Sequence, residues 1–156
     1  MSTTLTPYLA FDGNTREAFA FYAKALGATV QTMLSYDDMP ASATADTNSN
    51  ANTGEGCGGA MPSGPAIMHG ALALPGGARL FAGDTPPNVR HEAIKGVMLA
   101  LEYDTVEQAQ TAFDALAQGG RVTMPLAPSF WSKIFGMVTD RFGVSWAVNG
   151  EPIALN

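Results

Sequence analysis

One order of element types occurs twice along the chain, and that recurrence limits the fold more than any single motif. TPYLAF (6–11) is short, aromatic and apolar enough for a strand. In the segment after it, Asn14 and Glu17 stand at capping-box spacing, and Phe19, Tyr22 and Leu26 share one helical face. Gly27 supplies a left-handed stop, and ATVQTMLS (28–35) reads as a second strand. IMHGALAL (67–74) and ARLFAGD (78–84) flank a Pro-Gly-Gly turn, which predicts a hairpin. The second half repeats the order. VMLALEY (97–103) is a strand, Asp104 and Glu107 repeat the capping spacing, and Ala109, Phe113 and Leu116 mark a helical stripe ended by Gly119-Gly120. RVTM opens another strand, and KIFGMVTD (133–140) with VSWAVNG (144–150) forms a hairpin about Arg141-Phe142-Gly143. Both halves therefore read β-α-β-β-β, and a repeated unit of this size needs its twin to cover an exposed sheet face.

Composition narrows the setting. Of 156 residues, 46% are hydrophobic and 14% charged, which suits one globular domain over 1–156. Its modules span 5–84 and 97–149, joined by a linker at 85–96. The net charge of −6, with no basic run, argues against capture of nucleic acid or of anionic membrane. No apolar stretch approaches the roughly 18 residues that span a bilayer. MSTTLTPYL has neither a positive leader nor an apolar run, so a cytoplasmic protein is expected. Cys57 is alone, cannot form an internal disulfide, and lies among glycines without a histidine nearby in sequence. Residues 41–64 hold no aromatic side chain and are dominated by Ala, Ser, Thr, Asn and Gly, the composition of a flexible insertion. A solvated spacer is the favoured reading there and a lid the second.

PYLAFDGN (7–14), AFAFYAKALGA (18–28), MHGALAL (68–74) and FWSKIFGMVTDRFGVSW (130–146) together resemble the PhnB-like branch of the vicinal oxygen chelate superfamily. That superfamily includes glyoxalase I, extradiol dioxygenases and bleomycin-resistance proteins, and its PhnB-like members are often labelled 3-demethylubiquinone-9 3-methyltransferase domains. The resemblance covers the chain apart from the polar insertion and the extreme termini. It implies an α+β fold in which two βαβββ modules form curled mixed β-sheets, with helices on the convex face and ligands on the concave one. On that geometry strand parity can be read. Val144, Trp146 and Val148 share a bulky face suited to packing under a helix, leaving Ser145, Ala147 and Asn149 for the cavity. Gly70, Leu72 and Leu74 form the apolar set of their strand and leave His69 for the cup, while Trp131, Lys133, Phe135 and Met137 share the cavity side of theirs. Trp146 is thus predicted as core and Trp131 as wall.

Metal-dependent members of the superfamily carry His, Gln or Glu at one position on each of four strands. Here those positions fall at Pro7 or Tyr8, Phe81, Met98 and Ala147, none of which offers a carboxylate or imidazole. No metal and no other cofactor is expected. Nor is methyl transfer, because FDGNT has one glycine and PGGARLFAGD closes a hairpin rather than opening a helix.

The leading expectation is a metal-independent small-molecule-binding protein with an aromatic cup of Tyr8, His69, Phe81, Trp131, Lys133, Phe135 and Asn149. No catalytic residue is assigned. The alternative is a lyase or isomerase built on His69, with Asp84 or Asp140 to orient it, or on a non-standard divalent site of Asp84, Asp140 and Asn149. Asp140 has a structural reading too, bonding the amides of the turn that follows it. Arg79 shares parity with Phe81, and Lys133 is read as reaching solvent. A homodimer is expected, because TPYLAF and VMLALEY are too apolar for edges facing water, with EPIALN reaching across the contact.

Overall fold

The computed structural model describes residues 1–40 and 64–155, so the polar insertion, Gly64 apart, and Cys57 lie outside the described residues. The first module contains β1 (Tyr8–Phe11), α1 (Thr15–Leu26), β2 (Thr29–Ser35), β3 (Ile67–Ala73) and β4 (Arg79–Asp84). The second contains β5 (Leu99–Tyr103), α2 (Val106–Ala117), β6 (Arg121–Ala127), β7 (Ser132–Thr139) and β8 (Ser145–Pro152). Each module makes one four-stranded sheet, ordered β1-β4-β3-β2 and β5-β8-β7-β6. The first strand of each runs parallel to the last, and the remaining pairs are antiparallel. Hairpins impose the antiparallel pairs, and the helical crossover permits the parallel one. The repeat read in the sequence is therefore the fold.

Each helix lies on one face of its own sheet. α1 buries Ala18, Phe19, Tyr22 and Leu26, and α2 buries Ala109, Ala112, Phe113 and Leu116. In both modules a phenylalanine of the helix sits on a glycine of the third strand. A Cβ added at Gly70 would lie 2.9 Å from the Phe19 ring, and one at Gly136 would lie 2.9 Å from the Phe113 ring. Glycine lets helix and sheet approach so closely that each ring is almost fully enclosed, a burial worth roughly 1.5–3 kcal/mol apiece. Leu72, Val138, Val144, Trp146 and Val148 complete the layer, so the parity assigned to β3 and β8 holds.

The helix starts differ from the sequence reading. Asn14 makes no side-chain cap, and its Oδ1 is buried without a partner. Asp84 at the end of β4 replaces it, with Oδ1 accepting from the Thr15 amide at 2.9 Å and the Thr15 hydroxyl at 2.7 Å. A carboxylate brought by tertiary structure to a helix N-terminus outcompetes a local amide, since it adds charge to the hydrogen bond. In α2 the cap is Thr105 rather than Asp104, its hydroxyl accepting from the Gln108 amide. The C-terminal segment is also more ordered than expected. Glu151 and Pro152 extend β8, and the Ile153 amide donates to the Trp131 carbonyl at 2.9 Å.

Asp140 joins the modules. Its Oδ1 accepts from the amides of Phe142 and Val144, the hairpin role read from the sequence. Its Oδ2 accepts from the Trp146 indole at 2.8 Å and from the Tyr22 hydroxyl at 2.6 Å, reaching α1 of the other module. Tyr22 is fully buried, and burial first, then the Asp140 charge, raises its pKa far above the usual tyrosine value.

Asp140→Ala leaves these donors buried without an acceptor and is expected to cost about 3 kcal/mol or more, read as a lower urea midpoint. Because the Tyr22 pKa is higher folded than unfolded, its stabilising contribution is complete below the ordinary value near 10 and lost above it. Stability measured from pH 9 to about 11 should therefore fall with rising pH, and the fall should be shallower in Tyr22→Phe.

Candidate functional site

Opposite the helices each sheet has an open face, and the residues predicted for the cup fall on these faces in two groups. On the first, Tyr8 of β1 lies beside Phe81 of β4 in the parallel register, and His69 of β3 packs against both rings. Ring centroids are 5.6 Å apart for Tyr8–His69, 5.1 Å for His69–Phe81 and 6.2 Å for Tyr8–Phe81. The Tyr8 hydroxyl crosses the sheet to lie 3.1 Å from the Met68 carbonyl and 3.2 Å from His69 Nδ1. Gly83 makes this path possible, since a Cβ there would stand 2.7 Å from the Met68 oxygen and 3.1 Å from the Tyr8 hydroxyl. Partial burial, with Tyr36 nearby, raises the Tyr8 pKa and keeps the phenol protonated.

On the second face Trp131 stacks edge-on with Phe135 at 5.0 Å and with Phe130 at 4.7 Å. The Trp131 indole donates to Asn149 Oδ1 at 2.9 Å. An indole N–H can only donate, so the amide is fixed with its NH₂ turned away from the ring. Trp131 remains 37% exposed while Trp146 is 2% exposed, so Trp146 is core and Trp131 lies open at the surface. Lys133 does not simply reach solvent but pairs with Glu151 across the β7–β8 ladder. Among the described residues no ring of the first group contacts a ring of the second.

The orienting partners proposed for His69 are not there. Asp84 is spent on Thr15 and on the Ile67 amide, and Asp140 on Tyr22, Trp146 and its own turn. Both are buried on the helix side, so neither orients the histidine nor joins Asn149 around a cation. Tyr8 orients it instead. The strand positions expected from the resemblance to hold metal, Pro7 or Tyr8, Phe81, Met98 and Ala147, carry a proline ring or phenol, a phenyl ring, a thioether and a methyl group. The structure pairs Tyr8 with Phe81 and Ala147 with Ala100, and Met98 lies just ahead of β5. With neither a carboxylate nor an imidazole, that donor set does not fit a divalent ion. Among the described residues no three His, Cys, Asp or Glu side chains are grouped to hold one.

A groove of about 690 Å³ lies elsewhere, between the modules, lined by Pro7, Arg79, Leu80, Met98, Leu101 and Trp146 among others. Its one side-chain donor with a fixed partner, the Trp146 indole, is taken up by the buried Asp140, whereas both open faces carry hydrogen-bonded polar groups beside accessible rings. The candidate site is accordingly placed on the faces. Arg79, predicted to add positive charge to the cup, lines this groove.

The superfamily model for Glyoxalase/Bleomycin resistance protein/Dioxygenase proteins matches residues 4–148, nearly the whole repeat. The chain belongs to this superfamily. Within the glyoxalase/bleomycin resistance superfamily it is 35% identical over 150 residues to the protein YjdN of Escherichia coli K12, covering 93% of each chain. The crystal structure of PA1353 from Pseudomonas aeruginosa matches with 41% identity and a TM-score of 0.76, over 95% of this chain and 97% of that one. A Bacillus cereus PhnB protein, named as a 3-demethylubiquinone-9 3-methyltransferase, matches with 26% identity and a TM-score of 0.67, over 94% and 98%. The glyoxalase fold and the PhnB-like resemblance are thereby established.

Two residues of the site escaped sequence reasoning. Gly83 gave no signal, because its role depends on the path of the Tyr8 side chain. Glu151 holds a left-handed backbone, φ 57°, the only non-glycine residue to do so among those described. Such a conformation costs an ordinary residue about 1–2 kcal/mol, and local strain of this kind concentrates where function requires it. Glu151→Gly is expected to raise stability by up to about 1 kcal/mol, since the exposed pair with Lys133 contributes little. A thermal melt in which this variant is clearly less stable than the parent would show the ion pair to be worth more than the backbone strain.

Proposed function

We propose that the chain is a small-molecule-binding protein of the PhnB-like group, holding its ligand in a concave aromatic cup without a metal. One observation carries the reading. Each open face bears accessible rings beside a polar group with a settled hydrogen bond, His69 on one and Asn149 on the other. Rigid rings supply contact area at low entropic cost, and a few fixed polar groups orient what they hold. Lys133 is paired with Glu151, which lessens the positive charge the wall offers an anionic ligand. The net charge of −6 favours a cationic or neutral one. The Tyr8 contact that orients His69 also supports the alternative, a lyase or isomerase in which that imidazole acts on substrate. The two readings separate on turnover that His69→Ala abolishes.

The ligand cup is further proposed to need a second copy of the chain. Val30 and Leu34 on β2, Val122 and Met124 on β6, and Val97 and Met98 before β5 are exposed. Exposed apolar edges are liabilities, and a two-fold dimer is the commonest cover. Opposed walls from two chains would also enclose a ligand that a single sheet face leaves in water. No described helix is long and apolar enough to cross a membrane, and a cytoplasmic setting fits the proposal.

A thermal-shift screen against planar and cationic compounds is expected to give hits that vanish in the Trp131→Ala, His69→Ala double variant. Hits that persist unchanged would place the pocket elsewhere. Elemental analysis of untagged protein purified without chelator should find far less than one divalent ion per chain. Light scattering at micromolar concentration should give twice the chain mass, and the mass of a single chain would remove the shared cup.

A further inference from the structure

The Tyr8 hydroxyl lies within hydrogen-bonding distance of two groups, the Met68 carbonyl at 3.1 Å and His69 Nδ1 at 3.2 Å, and it has one proton to give. A carbonyl oxygen can only accept. If the phenol donated to the imidazole, its oxygen would face the Met68 oxygen lone pair to lone pair. Both contacts are favourable in one arrangement alone, with the phenol donating to Met68 and His69 Nδ1–H donating to the phenol. The neutral imidazole then carries its lone pair on Nε2. Gly83 independently marks this as a close contact, because a Cβ there would collide with the Met68 oxygen at 2.7 Å and crowd the Tyr8 hydroxyl at 3.1 Å.

We propose that Tyr8 is a positioning residue that locks His69 as the Nδ1–H tautomer, so that Nε2 is an obligate acceptor on the first wall and selects ligands presenting an N–H or O–H donor. Free histidine favours the opposite tautomer, and which nitrogen bears the proton is set by the bond the other makes. Among the described residues no protein group bonds Nε2. Packing against Tyr8 and Phe81 holds the ring in place, so the acceptor direction is fixed before a ligand arrives. The site discriminates through the cost of leaving Nε2 unpaired once a bound ligand covers it. This selection rests on the cup proposed above, whereas the tautomer lock stands on the Tyr8 geometry alone.

Nitrogen-15 correlation spectra of the full chain at mildly alkaline pH test the lock directly, with His69→Gln assigning one of the chain's two histidines. The expected pattern is pyrrole-like Nδ1 and pyridine-like Nε2, reverting toward the Nε2–H form in Tyr8→Phe, which keeps the ring. An Nε2–H tautomer in the parent protein, or no change in Tyr8→Phe, overturns the lock. Indole and benzofuran then probe the selection, since they differ in replacing a ring N–H by oxygen. Indole should bind about five- to tenfold more tightly, with Tyr8→Phe reducing the preference to about twofold or less. Equal binding of both probes, or no perturbation of His69 by either, overturns the donor preference. A failed thermal-shift screen with the Nδ1–H tautomer still present would instead fault the cup and spare the lock.

Discussion

A single buried carboxylate ties this molecule together. Asp140 accepts from its own hairpin, from the Trp146 indole and from the Tyr22 hydroxyl, so the second module's turn and the first module's helix share one anion. The arrangement is affordable only because each oxygen has donors, as an unpaired charge at that depth would cost several kcal/mol. Around it, the Phe142, Phe21, Tyr22 and Trp146 rings meet edge to face at 5.4–6.1 Å. The helices are thereby drawn together, and the opposite sheet faces are left open. The existence of a candidate site follows from where the core was spent.

Asp84 does related work inside the first module, capping α1 from β4 and holding the start of β3 through the Ile67 amide. Both aspartates had been candidates for chemistry. Their engagement on the helix side leaves His69 to a different partner, and the site's polarity is set by neutral groups: a phenol, an imidazole, an indole and an amide. Under the proposed binding role, such a wall would select by shape and donor–acceptor pattern more than by charge.

Periodicity made the fold legible. The alternation in VSWAVN assigned Trp146 to the core, and the Phe19–Tyr22–Leu26 spacing assigned the buried face of α1. That Trp131 lies outside the core was readable for the same reason, since parity in a strand fixes the side of the sheet. The α1 cap was misread because local spacing cannot register a carboxylate arriving from a strand 69 residues further on, and the α2 cap by one residue, Thr105 standing next to Asp104. The partner of His69 was missed likewise, as Tyr8 stands 61 residues away.

What the sequence determined by itself was the repeated strand and helix order and the sidedness of each element, both of which depend on residue type and local period. Only the tertiary structure decided which polar groups meet. The Tyr8 path over Gly83, the spending of Asp84 and Asp140 on helix and turn, and the left-handed Glu151 beside Lys133 arise from strands placed next to one another. Hydrogen bonds need partners within about 3 Å, and that distance is a property of the assembled sheets rather than of the chain that forms them.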